Sequence, residues 1–344
     1  MRNFLKPAAG FVCAITLAGT GCSSNGSGGT SDGTSSGTSG GGASSDTSGD
    51  TSGGTAYAPY VSATTASGND SAGSPSAYNL AFVIADGGDC TPQWNGTTAI
   101  GDSAVASRIA ALTASGASVR VSFGGASGKE LASVCDSAAE LADAYGQALD
   151  AAGATEADFD VEGEQLTDSA SVALRSEAIA LLQEERDDLA VTFTLPVMPS
   201  GLDDDGVALL ESANDHGVQV STVNIMTMNY GSSYDEDMGD YAETSAGAAH
   251  DQLEEVFGLS DAGAWKGLAL TSMLGVNDVD NETFSLSDAA QVRAFAEGKG
   301  VAWVSMWSTF RDRPCGDDSS ADDAATNCSG VAQTAGAFAK AFTG

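Results

Sequence analysis

The chain has 344 residues, 42% of them hydrophobic, which is enough for one large core or two small ones. Its 47 acidic residues outnumber 13 basic ones and leave a net charge of −34. Nucleic acid and anionic membrane surfaces are repelled by such a surface and are poor partners. At molar salt the Debye length falls to about 3 Å and the self-repulsion is screened, so a salt-rich habitat is expected.

Arg2 and Lys6 precede a short apolar run, Ala8 to Leu17, and small residues then lead into Cys22. Residues 1–21 read as an export signal, because the run falls short of the about 20 residues that span a bilayer. Leu17-Ala18-Gly19-Thr20-Gly21-Cys22 resembles the lipobox of secreted lipoproteins, with Gly19 where a larger aliphatic residue is usual. That resemblance implies lipidation of Cys22, with ordinary cleavage as the alternative, and an extracellular or cell-surface location. Residues 22–56 are mostly Ser, Gly, Thr and Asp, a composition that buries no apolar surface and predicts a flexible linker.

From residue 57 to 344 short apolar runs alternate with alanine-rich helical stretches. The runs are Pro59–Ser62, Asn79–Ala85, Ser118–Phe123, Ala157–Glu162, Leu189–Leu195, Thr222–Met228, Gly267–Leu274 and Val301–Trp307. Helical patterns fall at Ala104–Ala114, Ala138–Ala152, Val172–Arg186, Gly206–Ala213, Ala246–Phe257 and Ala289–Glu297. Eight strands alternating with helices predict an α/β fold, a (β/α)8 TIM barrel. An open doubly wound sheet is the rival, but no Gly-rich dinucleotide fingerprint follows the first strands. Cys90, Cys135, Cys315 and Cys328 are an even set in an exported chain and predict disulfides. Three pairings are open; Cys315–Cys328 would close a short acidic loop and Cys90–Cys135 would tie two loops of the front half.

Asp158-Phe159-Asp160-Val161-Glu162 carries the chemistry. Strand side chains alternate faces, so the three acids point one way and Phe159 and Val161 the other. Clustered carboxylates repel one another unless protons are shared or a ligand uses them. In a barrel the C-terminal strand end is where catalytic residues sit.

This segment resembles the signature of glycoside hydrolase family 18, Asp-x-x-Asp-x-Asp-x-Glu on the fourth strand, with Thr155 replacing the first Asp. Ser122-Phe123-Gly124-Gly125 is similar to the family's Ser-x-Gly-Gly on strand three, where glycines admit close approach of substrate or backbone, and the resemblance implies substrate contacts at Ser122, Gly124 and Gly125. Trp307 matches the tryptophan that floors the sugar subsite. The region from about Pro59 to Asp312 resembles an archaeal and actinobacterial subgroup of chitinases through Asp-Phe-Asp-x-Glu-Gly, Thr194-Leu195-Pro196-Val197-Met198-Pro199 and Asn224-Ile225-Met226-Thr227-Met228. The resemblance implies a retaining chitinase in which Glu162 protonates the leaving oxygen and the substrate's acetamido group supplies the nucleophile. Asp160 would hold the acetamido N–H, and Asp158 would sit beneath it and share a proton.

Strand six departs from the family's Met-x-Tyr-Asp. Met226 keeps the methionine, Met228 stands at the tyrosine position and Asn229 at the aspartate position, with Tyr230 a candidate to supply the missing phenol. Trp94 is weighed as a groove residue against a core role. His216 and His250 are isolated and the cysteines lack zinc-finger spacing, so no metal or cofactor is expected. The expected partners are chitin or N-acetylglucosamine oligosaccharides, met by a monomer. A non-catalytic glycan-binding barrel and an endo-β-N-acetylglucosaminidase are the alternatives.

Overall fold

The computed structural model describes residues 55–317 and 319–344. The expected export signal, Cys22 and all but the end of the linker lie outside them. Eight strands recur between helices in chain order. β1 is interrupted, Ala56–Tyr57 and Tyr60–Ser62; it is followed by β2 (Ala77–Asp86), β3 (Ser118–Gly124), β4 (Glu156–Asp160) and β5 (Ala190–Pro196). β6 (Val220–Met226), β7 (Leu268–Met273) and β8 (Trp303–Trp307) complete the set. From β2 to β8 each strand pairs in parallel with its neighbour. β1 reaches both ends of that ladder: Ala56–Tyr57 pairs with β8 and Tyr60–Ser62 with β2, both in parallel. Between them the Ala58 N–H donates to Val304 O, and beyond them the Thr309 N–H donates to Tyr60 O. The fold is a (β/α)8 barrel.

Both faces of each strand are covered, which is why the strands read as continuous apolar runs. Outward-facing Phe123, Phe159 and Phe193 form a row with centroids 5.3 and 5.8 Å apart, and Tyr145 from the helix Ala138–Ala152 packs 4.7 Å from Phe123. The interior is polar. Asp158 accepts from the hydroxyls of Tyr60 (2.8 Å), Ser122 (2.6 Å) and Thr194 (2.6 Å). Asn224 Nδ2 donates to Thr194 Oγ1 at 2.9 Å, and Thr271 donates to Asn224 Oδ1 at 2.9 Å. This network joins six strands and satisfies a charge that water cannot reach.

Two unpredicted additions matter at the site. A ribbon, Gly275–Val276 with Thr283–Phe284, follows β7. The C-terminal helix Ala337–Thr343 stacks Phe338 and Phe342 on Phe284 at 6.3 and 6.0 Å. Behind β3 and β4, Arg175 Nε donates to Glu130 Oε1 at 2.9 Å and Arg175 Nη2 to Glu130 Oε2, a buried two-pronged ion pair. The cysteines pair as Cys90–Cys135 and Cys315–Cys328. Among the described residues no helix is long and apolar enough to cross a membrane.

Candidate active site

A cavity of about 270 Å³ opens at the C-terminal ends of the strands. Asp160 ends β4 and lines it; Glu162, two residues beyond the strand, lines it too and is half-buried. Trp307, closing β8, forms an aromatic wall with Phe82 (5.5 Å, 29° between planes) and Tyr60 (5.7 Å, 70°). The Trp307–Ser308 and Ala81–Phe82 peptide bonds are cis. Met226, Met228 and Met273 supply an apolar side, and Asn229, Asp203 and Asp278 lie at the rim.

The carboxyl groups of β4 occupy graded environments. Burial pushes the Asp158 carboxyl up, opposed by its three hydroxyl donors. Asp160 has no such relief: its Oδ1 is buried without a hydrogen-bond partner. Burial first, then the charges of Glu162 and Asp158, hold its carboxyl well above the usual range. Burial also raises Glu162, with a further contribution from Asp278. The arrangement therefore favours protons on a carboxyl group that faces the cavity, as an acid catalyst needs.

Glycine makes this approach possible. A Cβ on Gly124 (φ +95°) would fall 2.2 Å from the Asp160 carbonyl oxygen. The next amide, Gly125 N–H, donates to that same oxygen at 2.9 Å. On Gly125 (φ +88°) a Cβ would meet the Phe82 ring at 2.9 Å.

Comparison with known proteins follows the same direction. The chain is 34% identical over 279 residues to the probable bifunctional chitinase/lysozyme of Escherichia coli, covering 76% of this chain and 31% of that one. It is 34% identical over 278 residues to endochitinase 11 of Metarhizium anisopliae, covering 75% and 52%. It thus spans about a third to a half of the length of these curated relatives. The catalytic domain of the hyperthermophilic chitinase from Pyrococcus furiosus superposes with a TM-score of 0.73 at 28% identity, over 83% of this chain and 93% of that one. Catalytic-site mutants of active domain 2 of that organism's thermostable chitinase, complexed with chito-oligosaccharides, match with the same score and identity. No family model matches. Over its barrel the chain is thus similar to the catalytic domains of chitinases.

The structure brings Asp160, Glu162, Trp307, Met226, Met228 and Asn229 to one cavity. Other expected substrate contacts are corrected. Ser122 is fully buried and serves Asp158, and Gly124 and Gly125 accommodate protein backbone and the Phe82 ring. Tyr230 is buried away from the cavity lining, receives the Ser245 hydroxyl at 3.4 Å and packs against Tyr234 and Tyr241. The positive φ of Asn229 (+56°) turns the chain before it. Asp158 takes three hydroxyl donors, and its charge adds to the upward push on the Asp160 carboxyl. Trp94 is fully buried and donates to Ile100 O, the core role. Sequence reading missed Tyr60, Phe82, Asp203 and Asp278. Tyr60 and Phe82 lie inside predicted strands, but nothing local distinguishes the two aspartates from the many others.

Proposed function

We propose that this chain is a retaining chitinase that hydrolyses β-1,4-linked N-acetylglucosamine polymers by substrate-assisted catalysis. The observation that carries the reading is the unpartnered, buried Oδ1 of Asp160 in a cavity shared with the Trp307 ring and with Glu162, whose carboxyl burial pushes up. An N-acetylglucosamine unit seated on Trp307 offers an acetamido N–H that Asp160 accepts. This turns the acetamido oxygen toward the anomeric carbon. Glu162 gives its proton to the leaving glycosidic oxygen as the acetamido oxygen bonds to the anomeric carbon, leaving an oxazolinium ion whose N–H an Asp160 carboxyl oxygen accepts. Glu162, now ionised, takes a proton from the water that reopens the ring, so configuration is retained.

Export, a lipid on Cys22 and a salt-rich habitat belong to the same proposal and are supported by residues 1–22 and the net charge. Glu162→Gln tests the chemistry: turnover of N-acetylglucosamine oligomers should fall by about 10²–10⁴-fold while oligomer binding persists. The first product seen by NMR should be the β-anomer. Full activity in the variant, or an α-anomer first, rejects the mechanism.

A further inference from the structure

After β6, Met228 and Asn229 line the cavity. Asn229 is left-handed at φ +56°, a conformation asparagine adopts more readily than most residues. Its amide meets Asp278, 49 positions on, with both ends. The Asp278 backbone N–H donates to Asn229 Oδ1 at 3.0 Å, and Asn229 Nδ2 donates to Asp278 Oδ2 at 3.3 Å, with Met273 Sδ a weaker acceptor at 3.9 Å. An aspartate at 229 would offer acceptors only and set a like charge against Asp278. The amide is the side chain that grips an N–H and a carboxylate together.

The surrounding turns hold this contact from behind. Glu282, 1% exposed, accepts from the Gly231 N–H at 2.8 Å, which ties the turn after Asn229 to the loop that carries Asp278. Asn277 Nδ2 donates to Met273 O and Gly275 O, both at 3.0 Å. Asp278 is therefore an exposed residue on a loop fastened at both sides.

We propose that Asn229 is a positioning residue that clamps the Asp278 carboxylate in the wall of the cavity it shares with Glu162, an inference that rests on Glu162 being the acid. The aspartate-to-asparagine departure at this position is then a functional choice. Charged groups around Glu162 are Asp160 from β4, Asp278 from this loop and Asp203 on the same cavity, while buried Arg311 acts on Asp278. Releasing Asp278 withdraws one negative neighbour, so Glu162 should lose its proton at lower pH.

The test is the pH profile of kcat/KM on N-acetylglucosamine oligomers for Asn229→Ala, Asp278→Asn and the two combined. Asn229→Ala should move the basic limb toward lower pH by about 0.5 unit, a roughly threefold lower rate above the limb. Asp278→Asn should move it in the same sense, and the double variant no further than Asp278→Asn alone. A limb unmoved by Asn229→Ala, even with reduced kcat, or shifts that add in the double variant, overturns the clamp. Melting curves show whether each variant is folded, and both positions are exposed. Should Glu162→Gln retain turnover, the acid assignment fails instead, and that result is separate from the coupling.

Discussion

Gly124→Ala asks whether backbone contact between β3 and β4 sets the position of the reacting carboxylates. The added methyl would sit 2.2 Å from the Asp160 carbonyl oxygen, against 3.4 Å or more in an ordinary contact, so the strand end must retreat by about 1.2 Å. A flexible side chain would yield, but this neighbour is backbone. The retreat strains or breaks the Gly125 N–H to Asp160 O bond, worth about 1 kcal/mol. Holding alanine at φ +95° costs about 1–3 kcal/mol more. The expected loss of about 2–4 kcal/mol lowers the melting temperature by roughly 3–7 °C. Activity should suffer more than stability, because a displacement of about 1 Å at a reacting group costs on the order of 10²-fold. The assay is kcat/KM on chito-oligomers at a temperature where both proteins are folded, with melting followed by circular dichroism. Activity within twofold of the parent would refute the reasoning, since the strand end would then not need its observed position.

Three further outcomes are expected. Asp160→Asn should raise the melting temperature above about pH 4 while abolishing turnover. The native carboxyl binds its proton more tightly than the unfolded chain does, so its contribution is complete at low pH and lost as pH rises through its raised value; a flat stability difference across pH would contradict this. Glu130→Gln or Arg175→Met alone should cost about 3–5 kcal/mol in denaturant melts, whereas Glu130→Leu with Arg175→Met should cost much less. Single and double losses of equal size would count against a desolvated pair. With a net charge of −34, the melting temperature should climb as NaCl is raised toward the molar range, and a maximum in low-salt buffer contradicts the salt-habitat expectation.

The eight strands were legible because burial on both faces leaves uninterrupted apolar runs, and each expected strand lies within a few residues of an observed one. The alternation Asp158, Asp160, Glu162 likewise revealed one polar face on an otherwise apolar strand. Other features had no local signature. The helix Met238–Phe257 begins eight residues earlier than expected, since Gly239, Ser245 and Gly247 dilute its helical pattern. Ser122, Gly124 and Gly125 were assigned to substrate although their contacts are internal, because a close approach looks the same in sequence whichever partner makes it. Tyr230 adjoins Asn229 in the chain, but a single left-handed residue sends it into a tyrosine cluster. Asp203 and Asp278 were invisible among 47 acidic residues; only the loops that carry them to the rim give them meaning.

The aromatic stack of Phe338 and Phe342 on Phe284 places the helix Ala337–Thr343 one ribbon away from the rim aspartate. Trimming the final eight residues would remove the backing of that ribbon, so catalytic performance should be sensitive to where an expression clone stops.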